Sequence, residues 1–442
     1  MTTAMRRLQA LALSLAAMAC SSQTPAYAAE GSSPGRVGAD SARVAALLNA
    51  LARTDPVICD LIGDQLGNFW MGGSPGGLGR FGDVPSVQGA KDSLAGTITD
   101  PRAVSLLVAT LAADNPCVRR VAAKLLGRST VSATVLTGLI DNPSPRIRES
   151  AAYAAGEGER RETRAALERR LSDTAAAAAA MAAWALGEIE DPAAGPALRD
   201  AVRSASPRLR LAAAWALGRF EDASYAKDVL PLLRDTDPAT RAIAAEALGQ
   251  MKGPRVGLAL VGALTDRNDA VRRAAVSALA DLKEASAAGP LEGMLLSDPN
   301  ADVRRECASA LGNLSLKRSL DALARALGDE DLDVRRQAAD AIGDLDDVTA
   351  APAALIRAAA SPDLELRRNA TRALGHIGDV TTVQALADRL SDEDKDVRLA
   401  AVEGLGEMKV AAALPMLTRA LNDRDPEVRR AAAEALGEFK DN

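Results

Sequence analysis

The sequence predicts an all-α fold, a solenoid made by stacking short helical hairpins. Three observations predict it. The chain has 442 residues, 48% of them hydrophobic but only 2% aromatic, and about a fifth are alanine. A globule of this size normally fills its core with aromatic rings, so alanine and leucine in their place suit thin, closely spaced helices. A second observation is a segment that recurs along most of the chain with a period of 31 or 32 residues. A third is that, within each copy, small and apolar residues fall on one helical face and charges on the other.

Taken in order, residues 1–28 read as an address and not as structure. Met1–Arg7 carries two positive charges and Leu8–Ala19 is an uncharged, largely apolar run. That pattern is a secretory signal peptide, too short to span a membrane. Two endings compete: cleavage after Ala26-Tyr27-Ala28, or lipid modification of Cys20. Residues 29–70 read as capping helices. The first is expected over Ala39–Arg53, and Asp55–Gly67 keeps enough of the recurring segment to be a degenerate copy. Residues 71–92 are rich in glycine and lack periodicity, which predicts a flexible loop. The repeat array then fills 93–442.

The clearest copy is the last, Asp423-Arg-Asp-Pro-Glu-Val428-Arg429-Arg-Ala-Ala432-Ala-Glu-Ala435-Leu436-Gly437. With its final glycine as position 0, the register recurs at Gly127, Gly156, Gly187, Gly218, Gly249, Ala280, Gly312, Gly343, Gly375, Gly406 and Gly437. Positions −9, −5, −2 and −1 are small or apolar. An Asp-rich turn precedes each such helix and offers an N-cap. The closing glycine is expected to end the helix in the left-handed conformation. A Leu-rich first helix precedes each turn. Neither helix buries its stripe alone, so hairpins must stack.

The register resembles the HEAT-repeat family, in its short bacterial form known from phycobilisome-lyase HEAT-like repeats. The resemblance implies a right-handed superhelix of about eleven repeats plus the degenerate N-terminal cap, with second helices lining a concave face. Relatives attach bilin pigments or hydroxylate a modified lysine with iron held by His-Glu pairs. The latter chemistry needs several histidines, and this chain has only His376.

Position −8 is arginine at Arg119, Arg148, Arg210, Arg241, Arg272, Arg304, Arg335, Arg367, Arg398 and Arg429, with Ala179 the exception. Acidic residues in the adjoining turns, Asp237, Asp269, Asp302, Asp333, Asp396 and Asp425, suggest an exposed Arg–Asp ladder that orients neighbouring repeats. Exposed pairs of this kind contribute about 0.5 kcal/mol each. Cys59 at −8 in the cap and Cys117 at −10 in the next copy lie on facing turns and read either as a disulfide in place of one rung or as two independent buried thiols. Cys307 takes the alanine position −5 and reads as packing. Position −3 is mostly polar, but three successive copies carry Tyr153, Trp184 and Trp215, with Met181 and Leu211 nearby. Rings spaced by about 10 Å along stacked helices would, if exposed, form a contiguous apolar strip; the other reading is a core role, with the superhelix curved tightly enough to bury them.

These residues lead to an expected exported, non-enzymatic scaffold. It would hold a protein or peptide on the concave face, anchored at that strip; the alternative is an enzyme of the bilin-lyase-like family. Net charge is −6, which disfavours nucleic acid. No cofactor or metal is expected. The membrane enters only through a lipid anchor at Cys20. The C-terminal copy, with Leu436 and Phe439, has no distinct cap.

Overall fold

The computed structural model describes residues 37–52, 97–253 and 255–439, with side chains from residue 41 onward. The expected leader with Cys20, the degenerate copy with Cys59, and the glycine-rich segment lie outside the described residues. The remainder falls into two compact units divided between Phe220 and Glu221. Both are all-α and built from stacked hairpins, the repeating unit of an α-solenoid. Among the described residues the only β pairing is an isolated bridge between Ile98 and Ser129.

In the first unit, helix Val37–Ala52 occupies the place expected of the cap's first helix. Its Val44, Leu48 and Leu51 join one core with Leu107, Leu111, Val121 and Leu125. Four hairpins follow. Their second helices, Pro116–Gly127, Pro145–Glu157, Ala176–Ile189 and Pro207–Arg219, pack on one another in succession. The second unit stacks Pro238–Met251, Asp269–Asp281, Ala301–Asn313, Leu332–Gly343, Leu364–Ile377, Lys395–Glu407 and Pro426–Glu438 in the same way. Each second helix also rests on the shorter first helix of its own copy.

The small residue at −5 is what permits this stacking. All of Ala122, Ala151, Ala182, Ala213, Ala244, Ala275, Cys307, Ala338, Ala370, Ala401 and Ala432 have 0% exposure. The helix starts follow position −12. There Asn115, Asp237, Asn268, Asn300, Asp331, Asp363, Asp394 and Asp425 accept bonds from the first-turn N–H groups.

The helix ends differ from expectation. The closing glycines lie within or at the last turn of their helices, and the left-handed residue comes later, as Glu159, Glu190, Glu221, Lys252, Lys283, Ser315, Lys409 and Gly378. The glycine is there for space. A Cβ on Gly187 would stand 2.7 Å from Trp215 Cζ3 and 2.8 Å from Ala216 Cα; one on Gly249 would stand 2.8 Å from Ala278 Cβ. Position 0 of one copy is where positions −3 and −2 of the next copy land.

The arginine ladder is present, with other partners. Rungs form between Arg148 and Asp173, Arg241 and Asp266, Arg272 and Asp298, Arg304 and Asp329, Arg367 and Asp392, and Arg398 and Asp423. The carboxylates come from position −14 of the following copy, the first residue of its turn. Nε donates to Oδ2 at 2.6–2.8 Å and Nη2 to Oδ1 at 2.7–3.2 Å. Nη1 donates to a carbonyl six residues back in the arginine's own turn at 2.8–3.0 Å. Each of these aspartates also accepts an N–H from two residues ahead. The residues expected as partners do other work. Asp237 and Asp425 are N-caps, Asp302 and Asp333 meet Arg305 and Arg336 on their own helices, and Asp396 meets Arg368.

Nor are the rungs exposed. In the Arg304–Asp329 rung the side chains are 8% and 11% exposed, and in Arg398–Asp423 they are 4% and 9%. Burial raises the Asp329 carboxyl, yet Arg304 and the Asp331 N–H together outweigh that and hold it below its ordinary value. Among the described residues Arg119 and Arg335 bind only their own turn carbonyls, because the following copies carry Asn142 and Ser361 at −14. Next to the second gap, Arg336 pairs with Asp363 instead and lowers that carboxyl to about 2. Arg429, in the last copy, likewise binds its own turn carbonyls, and Arg210 donates to those of Ser204 and Ala205. Where arginine is replaced by Ala179, the following copy has Ser204 at −14.

Candidate partner-binding face

The helices of the first unit bring Tyr153, Trp184 and Trp215 into one column, but not as an exposed strip. Their rings stack, Tyr153 on Trp184 at 5.0 Å between centroids and Trp184 on Trp215 at 6.3 Å, with interplanar angles of 21° and 17°. That is closer than helix spacing alone predicts, because each indole leans back over the glycine of the preceding copy. Trp184 Cζ3 lies 2.7 Å from where a Gly156 Cβ would be. Trp184 is therefore buried, with 5% exposure, and is corrected from an exposed anchor to a core residue. Tyr153, Trp215, Met181 and Leu211 are half-buried. The contiguous apolar strip does not exist; a stacked column with partly open ends takes its place.

Residues at +1 lie one turn beyond the rings, four places after each −3 position, and so flank the stack. They run Arg128, Glu157, Glu188 and Arg219. Sequence reasoning did not single these out; a +1 column beside the aromatic one was the available signal. At the Tyr153 end, Glu157 gathers cations: Arg128 stands 3.3 Å away and the buried Lys124 3.7 Å. Burial lowers the Lys124 pKa against the pull of Glu157. Burial, reinforced by Glu157, pushes the Tyr153 hydroxyl well above its ordinary value. At the other end Arg219 lies over the Trp215 ring, 6.0 Å from its centroid, and bonds to Glu190.

Glu188 stands between these clusters and is the one member left over. It is half-buried, and no hydrogen bond or ion pair reaches its carboxylate among the described residues. Burial raises its pKa, while Arg219 acts in the opposite direction without bonding to it.

Cys117 is disulfide-bonded; its partner lies outside the described residues, as does Cys59. Cys307 is free and buried, and burial pushes its thiol up strongly. His376 is exposed, as expected of a surface histidine. Among the described residues no group of three or more His, Cys, Asp or Glu side chains has the geometry of a metal site, and no helix is long and apolar enough to cross a membrane.

A family profile described as HEAT repeats matches residues 132–208, 196–280, 226–308, 288–374, 333–394 and 383–442. No curated protein matches. Among solved structures, a chain of the Kap95p–RanGDP complex is 14% identical, with 86% of this chain and 60% of that one covered and a TM-score of 0.52. An engineered protein is 22% identical, with coverage of 76% and 98% and a TM-score of 0.46. A chain of the CpcE–CpcF complex of phycocyanin lyase from Nostoc sp. PCC7120 is 22% identical, with coverage of 55% and 94% and a TM-score of 0.33. The likeness to the Kap95p–RanGDP chain is one of fold. The profile match spans most of the chain, and this chain belongs to the HEAT-repeat family.

Proposed function

We propose that the chain is an exported, non-enzymatic scaffold that holds a protein or peptide partner along the second-helix face of its first unit. The observation that carries this reading is the aromatic column. Its ends at Tyr153 and Trp215, with Leu211 and Met181, stay half-open on a family scaffold whose stacked helices offer long binding surfaces. Tyrosine and tryptophan concentrate binding energy when a partner covers them. The rigid stack beneath lowers the ordering cost of that contact.

Export is supported by two features. The charged-then-apolar residues 1–19 read as a leader. The disulfide at Cys117 suits an oxidising compartment. A photo-crosslinking residue placed at Leu211 should capture a discrete protein in cells of the source organism. The same residue at Val135, a first-helix position that is 45% exposed, is the control. No adduct at Leu211, or the same adducts from both positions, rejects the assignment.

A further inference from the structure

In the second unit, the junction between the copies closing at Gly343 and Gly375 lacks what holds the others. It has no buried rung. Arg335 donates to the Asp329 and Glu330 carbonyls, and Ser361 stands where the flanking copies carry Asp329 and Asp392. Its seat is also looser. A Cβ on Gly343 would stand 3.3 Å from its nearest neighbour, Ala373 Cβ. At Gly127, Gly156, Gly187, Gly249, Gly312, Gly375 and Gly406 the nearest atom of the next copy lies at 2.7–3.0 Å. A missing rung alone does not open a seat, since Gly127 and Gly187, beside the Asn142 and Ser204 gaps, keep 2.7 Å. The first helix is cut short as well. Ala353–Ala358 has six residues and no 3₁₀ turn before it, while Leu320–Ala326, Val383–Arg389 and Leu414–Ala420 have seven and each follows such a turn.

The charges that cross this junction lie nearer water. Arg336 and Asp363 are 28% and 21% exposed, against 8% and 6% for Arg367 and Asp392 in the next rung. Arg372 and Asp340 meet at 3.3 Å on the surface. Exposed pairs hold weakly, and close side-chain packing is what makes a junction rigid. We infer that this junction is a hinge, about which Ala353–Glu438 turns against Ala301–Gly343. The second-helix face of the unit then bends at one place, and Ser361 is the residue that frees it. The hinge does not depend on the scaffold reading, and its failure would leave that reading untouched.

The test measures distances between spin labels by double electron–electron resonance on the full chain. The labels are carried on a ketone-bearing amino acid, so that the native cysteines stay as they are. One pair, at Asp321 and Gln384, spans the hinge; the other, at Leu258 and Asp321, spans two junctions without it, and all three positions are exposed first-helix residues. A hinge should make the Asp321–Gln384 distribution about twice as wide as the Leu258–Asp321 one. Ser361→Asp supplies the carboxylate that Arg335 lacks and should narrow the first distribution to the width of the second. Ser361→Asn matches it in size without the charge and should leave the distribution wide. Arg336→Gln removes the remaining charge tie and should widen it further, with circular dichroism unchanged. Equal widths for the two pairs in the parent, equal narrowing by Ser361→Asn and Ser361→Asp, or a width that neither Ser361→Asp nor Arg336→Gln moves overturns the hinge.

Discussion

Replacing Arg304 by alanine tests the ladder most directly. Arg304 donates twice to Asp329 at 2.8 Å and once to the Asp298 carbonyl at 2.9 Å. Its loss leaves the Asp329 carboxylate, 11% exposed, with the Asp331 N–H at 2.8 Å as its remaining backbone donor. Breaking a buried pair from one side costs about 3–5 kcal/mol, and the lower end applies where water reaches the rim. A loss of about 3 kcal/mol corresponds to roughly a hundredfold. An exposed pair would give about 0.5 kcal/mol, or roughly twofold. The assay is amide hydrogen exchange across Ala301–Asn313 and Leu332–Gly343, because a repeat array need not unfold in one step. Protection there should fall by about two orders of magnitude, with much smaller changes at Lys395–Glu407. The double variant Arg304→Ala/Asp329→Ser recreates the Ala179/Ser204 combination and should lose less than the sum of its single changes. The acid limb follows in sign. The folded Asp329 carboxyl titrates below its unfolded value, so the rung's contribution is complete above about pH 4 and fades as pH falls through the folded value. Arg304→Ala should remove part of that acid dependence. Unchanged protection in the single variant, or strict additivity in the double, would show that the rung is a surface ornament.

Three further outcomes are expected. Gly187→Ala should destabilise by about 1–3 kcal/mol, since its Cβ meets Trp215 and Ala216. Gly138→Ala, in a helix with nothing within 4 Å of the new methyl, should stabilise by up to about 1 kcal/mol, and thermal melts of the pair should move in opposite directions. Trp184→Ala should cost about 3–5 kcal/mol and lower the melting temperature, while Trp215→Ala should cost distinctly less; equal melts would contradict the burial of the central ring. Thiol counting on the chain lacking residues 1–28, denatured without reductant, should find one thiol; three would mean that Cys117 is unbridged there.

The hairpin period, the buried −5 column and the capping turns were legible because they are properties of one helix or of one turn. The eleven residues at −5 repeat a size restriction that only close helix packing imposes. The arginine column also announced itself, but its partner did not. Both −14 and −12 offer acidic residues in the same turn, and a one-turn list cannot distinguish a cap from a rung. The difference is set by how far one hairpin is shifted and rotated against the next. That relation places Asp329 within reach of Arg304 and leaves Asp331 to cap its own helix.

The same displacement explains the glycine and the tryptophans. Position 0 looked like a helix terminator and position −3 like a solvent face, each a fair inference from a single helix. Once hairpins stack, −3 of one copy lands on 0 of the copy before it, so the glycine is a seat and the indole fills it. The linear pattern by itself determined that this chain forms helical hairpins and that they must pile up, since period and side-chain size act within each copy. Which side chains meet across copies, and therefore that Trp184 is core and Glu188 is left without a counterion, was decided only by the tertiary structure, because that contact depends on the offset between rigid hairpins and no local propensity encodes it.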